Sequence, residues 1–459
     1  MNDYLTKALP YVANETQKLM LEKYIESYAT GSIPAHKDSQ RAWIKDKSPV
    51  VETNQGWIET YIEPTNARAY YEAWVAIVDK EKSRKFQALV TNSEQIIPQM
   101  PWPQEMEKDN FLAPEFTTLD IICFAANGCP LGINVPNYDD IRDNEGFKNV
   151  FLNNSMGSYT MNAVQFATEE QSQILTEYTI KAYECHVACH ELLGHGVGKL
   201  IYRNADGTAP TFTDPVTGET YESCYEEGET WNGKFGAIST SYEECRADTC
   251  GFYLCQLPDV YTLFGWSEDQ IDILLWTSVM NQFRKGVLGL QLYNAETQKW
   301  GQAHTQGAYV FFQYLYQKQQ SDIVRVEILE GNDDMRIHLN KDNLMTEGKQ
   351  LIREFLIILQ TYKSSGAADR GKAFYDHYSK VEGIFLQIRD IVIEKKKPRR
   401  VELNNNLIRY NESMIEPTHY PECFEGIIMS YEDRFPCNQQ LLDKIYNEWA
   451  KTAQYMRVQ

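Results

Sequence analysis

The chain has 459 residues, of which 43% are hydrophobic, 12% aromatic and 24% charged. At about 150 residues per domain this is enough for two or three domains, and the composition excludes a disordered chain. The formal charge of −20 repels phosphate backbones and anionic lipid, so neither a nucleic-acid partner nor a membrane partner is expected.

The ten cysteines are about two per hundred residues, too sparse for a disulfide scaffold, and are read as reduced thiols. The N-terminus has no basic start followed by an apolar segment, and no run of eighteen apolar residues occurs. Together these features indicate a cytoplasmic protein.

In chain order, apolar spacing predicts a helix from Asn14 to Gly31, followed by a turn and loop over GSIPAHK. Tyr71 to Val78 is rich in β-branched and aromatic residues and predicts a strand. From Pro98 to Pro136, Pro and Gly punctuate the chain and predict irregular connecting structure. A long helix is predicted from Glu169 to Leu200, followed by a Gly-, Asp-, Thr- and Pro-rich loop over 203–220. Further helices are predicted from Ser267, over Gly301–Tyr316 and over Met345–Tyr362, with a hairpin over Asp322–Asn340. The expected architecture is α+β with helices dominant.

Only eight histidines occur, and three of them, His186, His190 and His195, fall within ten residues. The hexapeptide His190-Glu191-Leu192-Leu193-Gly194-His195 places two candidate ligands around a candidate general base. In zinc peptidase helices the histidines normally stand four apart on one face. Five residues of regular α-helix turn about 500°, which would leave the second imidazole about 140° from the first. A π-type turn of roughly 4.4 residues sweeps about 410° over the same five residues and brings both rings to one metal. Gly194 is the residue best able to absorb the distortion. The plain alternative is a helix end with incidental histidines and a glycine stop.

A carboxylate partner stands downstream in Ser241-Tyr242-Glu243-Glu244-Cys245-Arg246-Ala247-Asp248, on a segment with helical spacing through Leu254. Glu244 and Asp248, four apart, share a face. Glu244 suits the third ligand of a His₂Glu site, and Asp248 suits the acid that fixes a ligand's tautomer. In so acidic a chain, such a pair is also an ordinary solvated face. His186, Cys185 and Cys189 are competing ligands, but no CxxC occurs and a structural site leaves Glu191 without a purpose. The two thiols read better as small buried apolar groups.

The pair HELLGH and EECRAD at this separation resembles the M49 family of zinc exopeptidases, the dipeptidyl peptidase III family. GSIPAHK with Trp43, WIETY, NVPNYDD, GETW and GQAH add to the resemblance. It implies one Zn²⁺ per chain on His190, His195 and Glu244, with Glu191 as general base and Glu243 and Asp248 supporting the ligands. It further implies that Tyr61 and His304 stabilise the tetrahedral intermediate, and that Glu59, Asn134 and Asn137 hold a free N-terminal ammonium. From the residues alone, Asn134 and Asn137 around a Pro read as a turn. Trp43 is implied as a substrate contact, and Arg399 and Arg400, in a basic run that would otherwise read as a solvated charge patch, as a clamp for a peptide carboxylate.

The implied fold has a cleft between two lobes, with 80–117 and 164–399 forming the helical zinc-bearing lobe. Residues 1–79, 118–163 and 400–459 would form a partial mixed lobe, because the family's sizeable N-terminal segment has no counterpart before Met1. Ala308 stands where family members carry an Arg. Val216 replaces the first Glu of the loop by which animal members bind a Kelch-repeat redox-sensor adaptor, so that partner is not expected. The expected activity is release of dipeptides from the free N-termini of short peptides. The rivals are a His₂Glu endopeptidase and a catalytically weakened remnant that binds peptides or a partner.

Overall fold

The computed structural model describes residues 1–60, 69–111, 114–126, 129–142, 144–157, 164–331, 333–396, 407–411, 414–421, 423–434 and 438–456. After a short N-terminal helix (Asn2–Ala8), helix α1 (Glu15–Thr30) begins where Asn14 accepts the Gln17 N–H and ends at Gly31, whose φ of 73° closes it in the left-handed region. The GSIPAHK segment, predicted as a loop, instead opens α2 (Ile33–Lys45). Ser32 accepts the Ala35 N–H and Pro34 sits in the first turn, where its missing N–H costs nothing.

Strands β1 (Val51–Glu59) and β2 (Tyr70–Asp79) pair antiparallel, with Val51 opposite Ile77. The predicted irregular stretch is corrected by β3 (Glu115–Ala125) and β4 (Gly132–Val135). Its prolines flank the strands, and the β-branched run between them supplies the ladder. Strand β5 (Lys148–Leu152) completes a five-stranded sheet in the order β1-β2-β3-β5-β4, with β5 parallel to β3 and antiparallel to β4.

A reciprocal capping box between Thr168 and Gln171 opens α3 (Glu169–Cys189). The remaining helices that matter to the site are α4 (Ser239–Leu254), α5 (Glu268–Leu288), α6 (Ala303–Lys318), α7 (Lys349–Ser365), α8 (Ala368–Ser379) and α9 (Ile384–Glu394). The predicted hairpin is present as β6 (Val324–Ile328) and β7 (Met335–Leu339). The chain is thus α+β with helices dominant, as expected.

One core joins α5, α6 and α7 through Phe283, Phe311, Phe312, Phe355 and Leu359. A second core packs Phe116 and Phe151 of the sheet together with Leu192, Leu193 and Leu254. Burying each of these two leucines of the hexapeptide contributes about 1.5–3 kcal/mol, which pins the histidine segment from behind.

The chain divides into two compact units. The larger comprises Met1–Ile121 and Ala125–Lys396 and contains both cores; the smaller comprises Ile122–Phe124 and Lys397–Gln459. Described parts of the smaller unit are the hairpin Leu407–Asn411 with Met414–Thr418 and the helices Phe424–Arg434 and Gln439–Met456.

Under α2 lies a fully buried cation. Lys148 Nζ stands 3.2 Å from Glu52 Oε2 and 3.3 Å from Glu115 Oε2 and donates to the Asp46 carbonyl at 2.5 Å. Burial pushes Glu52 up to about 7 against the pull of Lys148. Lys148→Met should cost about 3–5 kcal/mol by leaving two buried acids without their cation. The stranded acids must bind protons to remain inside, so the loss in chemical denaturation should be greater at about pH 8 than at about pH 5.

Candidate functional site

Helix α3 does not continue regularly to Leu200. At His190–Gly194 it widens into a π-turn, in which the His195 N–H donates to the His190 carbonyl at 3.0 Å. The sequence places Gly194 correctly but for a different reason. A Cβ there would stand 3.0 Å from Ala247 Cα, Cβ and O, so the glycine permits close approach of the turn to α4. Widening the turn deprives the Glu191 carbonyl of the His195 N–H that a regular helix would supply. Asn134 Nδ2 donates to that carbonyl instead, at 2.9 Å.

The two Nε2 atoms of His190 and His195 stand 3.1 Å apart. Glu244 Oε2, from α4, lies 3.3 Å from the first and 3.7 Å from the second. Behind the rings, His190 Nδ1 meets Asp248 Oδ1 at 2.8 Å and His195 Nδ1 meets Glu243 Oε1 at 3.3 Å. Carboxylates only accept, so each Nδ1 donates to its acid, which leaves each Nε2 to present a lone pair once a metal is bound; without one, the surrounding carboxylates raise the pKa of both imidazoles against their burial. Two lone pairs and a carboxylate oxygen converging in a buried pocket repel one another unless a cation lies between them. Donors around a four-coordinate ion with bonds of about 2.0 Å stand roughly 3.3 Å apart, and these three groups fit that spacing.

The supporting acids are themselves held. Arg246, fully buried, donates from Nε and Nη2 to Glu243 at 3.0 and 2.6 Å, from Nη1 to Gln360 at 3.1 Å, and from Nη2 to the Gly194 carbonyl. Lys363 adds a 2.5 Å contact to Glu243. Burial opposes ionisation of Glu243, but Arg246 and Lys363 hold it well below the usual carboxylate range. Asp248 accepts from Gln282 at 2.7 Å and faces Lys285 at 3.7 Å, and against its burial Lys285 and His190 keep it ionised. Glu244 is likewise held low, against burial, by His304 and His195.

Glu191 is buried beside the pair, with Oε1 4.0 Å from His190 Nε2, and burial raises its pKa despite both histidines. A Cβ on Gly132 of β4 would stand 2.6 Å from Glu191 Oε1, so the sheet edge approaches the carboxylate as closely as a glycine allows. His304, in the first turn of α6, has Nδ1 3.3 Å from Glu244 Oε2, and burial pushes it down to about 4, leaving it neutral.

Glu59 closes β1 next to Asn137 and within electrostatic reach of Glu244 and Glu191. Burial and Glu72 push it up to about 8. Asn137 Nδ2 donates to the Ile58 carbonyl at 3.2 Å.

Of the residues predicted from sequence, the structure brings together His190, His195, Glu244, Glu191, Glu243, Asp248 and His304, with Asn134, Asn137 and Glu59 alongside. It does not bring Trp43 to them. That indole is fully buried in the helix–sheet core, donating to Glu52 at 2.6 Å, which makes it a scaffold residue and not a surface for substrate. Tyr61, Arg399 and Arg400 lie outside the described residues. His186 is committed to the Asp248 carbonyl at 3.1 Å and stacks on Phe252, so it is not a ligand here.

Sequence reasoning missed Arg246, Lys363, Gln282 and Lys285. Arg246 had a readable signal, three residues after Glu243 on one helix. The others come from distant segments and had none.

Two imidazoles and a carboxylate from a second helix, with a buried glutamate adjoining the first imidazole, are residue types that can hold a metal ion and move a proton beside it. The sequence model of Peptidase family M49 matches residues 1–435, and the chain belongs to that family.

It is 40% identical to dipeptidyl peptidase 3 of Nematostella vectensis, over 99% of this chain and 63% of that protein. It is 39% identical to that of Rattus norvegicus, over 100% and 64%, and 38% identical to that of Homo sapiens, over 98% and 62%. The chain therefore spans less than two thirds of the length of these relatives. Solved structures of DPP III from Caldithrix abyssi (TM-score 0.62, 20% identity, 86% of this chain and 68% of that one) and of dipeptidyl-peptidase III from Corallococcus sp. strain EGB (0.63, 16%, 86% and 65%) share the fold. Among the described residues no helix is long and apolar enough to cross a membrane.

Asp248→Asn should weaken metal binding about 10–100-fold, measured by competition with a chromophoric chelator, because the amide no longer fixes the His190 tautomer. Asn134→Ala should strand the Glu191 carbonyl, costing about 1–3 kcal/mol in denaturation and loosening the metal. A change in KM alone, with stability and metal retention intact, would show that Asn134 does not support the turn.

Proposed function

We propose that the chain is a zinc-dependent peptidase that releases dipeptides from the free N-terminus of short peptides, with His190, His195 and Glu244 as the zinc ligands. The observation that carries this reading is the π-turn, which faces both histidines toward Glu244 while leaving Glu191 beside them. A bound zinc ion supplies a Lewis acid and a water acidified to near neutrality.

Glu191, its carboxyl raised by burial, takes the proton of the attacking water and hands it to the leaving amine. Neutral His304 presents an N–H to the oxygen on which negative charge develops, and Tyr61 is proposed to do the same. Arg399 and Arg400 are proposed to clamp the peptide's carboxylate.

An exopeptidase must recognise the free amine. Burial keeps Glu59 largely protonated at neutrality until a cation arrives, and the ammonium then ionises it. Asn134 Oδ1 is a buried acceptor with no hydrogen-bond partner among the described residues, and it is suited to an ammonium N–H. Asn137, beside Glu59, orients that carboxyl. The relatives' name, dipeptidyl peptidase 3, supports release in steps of two. The free thiols of the nine described cysteines suit the reducing cytoplasm as the location.

The test offers an octapeptide with a free or an acetylated N-terminus to zinc-loaded protein and follows the products by mass spectrometry. Stepwise loss of dipeptides from the free form alone is expected. Internal cuts would identify an endopeptidase, and intact peptide at full zinc occupancy a binding remnant. Glu191→Gln should retain zinc and lose at least about 10²-fold in kcat; undiminished turnover would remove Glu191 from the mechanism.

A further inference from the structure

Before the histidine turn on α3 and at the C-terminal end of α4, Cys185, Cys189 and Cys255 bring their sulfurs within 4.8 Å of one another. Cys185 and Cys255 Sγ are 3.6 Å apart. Cys185 and Cys189 share a face of α3 one turn apart, and Cys255 caps the C-terminus of α4, so the group joins the two helices that carry the candidate ligands. The surroundings are apolar, with Ala188, Leu192, Leu254 and Val260 in the same cluster. The neighbouring imidazole of His186 is committed to the Asp248 carbonyl and adds no fourth donor at that nitrogen.

The geometry points to a three-thiol site for a trivalent thiophilic hydroxide of the arsenite class. Charge selects this ligand over a metal cation. A divalent ion on three thiolates leaves one net negative charge in the apolar cluster and a monovalent ion leaves two, either of them costly to bury. Arsenite reacts without that cost: As(OH)₃ + 3 RSH → As(SR)₃ + 3 H₂O. Three As–O bonds break and three As–S bonds form, arsenic remains trivalent, and each thiol proton departs in a water molecule. Reactants and products are all neutral. Cys255, 9% exposed against 4% and 0% for Cys185 and Cys189, marks the rim by which the small neutral hydroxide enters. The product staples α3 to α4 through their side chains, next to the histidine turn.

The experiment incubates reduced, metal-loaded protein with equimolar sodium arsenite, removes free arsenite by desalting, and measures arsenic per chain together with the arsenic X-ray absorption spectrum. One arsenic per chain with three sulfur neighbours is expected. Cys255→Ala, which reduces the chelate to two thiols, should weaken retention about 10²-fold in competition with dithiothreitol, whereas Cys224→Ala should leave it unchanged. No retained arsenic, a shell of two sulfurs and an oxygen, or retention indifferent to Cys255→Ala would each overturn the site. The spectrum of the unmodified protein decides the matter even if the variant fails to fold.

Discussion

The hydrogen bond from the His195 N–H to the His190 carbonyl is the constraint on which the rest of the site depends. It lengthens one turn by one residue, and that single residue brings two imidazoles round to one point. The wide turn does not persist by propensity, since π-turns are rare and leave a carbonyl behind. It persists because the surroundings compensate on every side. Leu192 and Leu193 are buried against Phe116 and Phe151, Asn134 takes the released Glu191 carbonyl, Arg246 takes the Gly194 carbonyl, and Ala247 packs where any side chain on Gly194 would have stood. The five-stranded sheet therefore does more than flank the site. Through Gly132 and Asn134 on β4 it sets both the carboxylate and the backbone of Glu191.

Much of this was legible in the sequence because its cause is local. A five-residue gap between histidines flanking a glutamate has one productive helical solution, and the π-turn follows from rotation alone. The i, i+4 pair Glu244 and Asp248 needs only a helix to share a face. The reason for Gly194 was not legible, because the close neighbour, Ala247, lies more than fifty residues away. The same holds for Lys363 on Glu243 and Gln282 on Asp248, where only the packing of α7 and α5 against α4 makes the contact. Trp43 shows the converse. It belongs to a segment that resembles its family closely, yet its place is dictated by a buried lysine and by the sheet, and a resemblance does not distinguish a scaffold residue from a contact.

The fold was misread where punctuation was taken for irregularity. Gly31, Ser32 and Pro34 look like a loop when counted as breakers. Taken in order they are a left-handed stop, a cap and a first-turn proline, the sequence of events between two consecutive helices. The prolines at 114, 130 and 136 likewise bound strands and do not interrupt them, since an edge or terminal proline forfeits no ladder bond.

The balance of charge around the turn explains why a cation and then a peptide carbonyl suit it. Glu191, Glu243, Glu244 and Asp248 face Arg246, Lys363 and Lys285, four potential anions against three fixed cations. The three cations are spent on the two supporting acids, so Glu244 is held low by the imidazoles it faces and not by a lysine or an arginine. A divalent ion placed there would take the place of protons on those imidazoles and fix a positive charge at the donor pocket. A carbonyl oxygen gathering negative charge then meets a favourable field, in a buried site where that field is weakly screened. Neutral His304 fits the same logic. Burial denies it a proton of its own, so it adds a directed N–H without a second positive charge that would compete with the ion for Glu244.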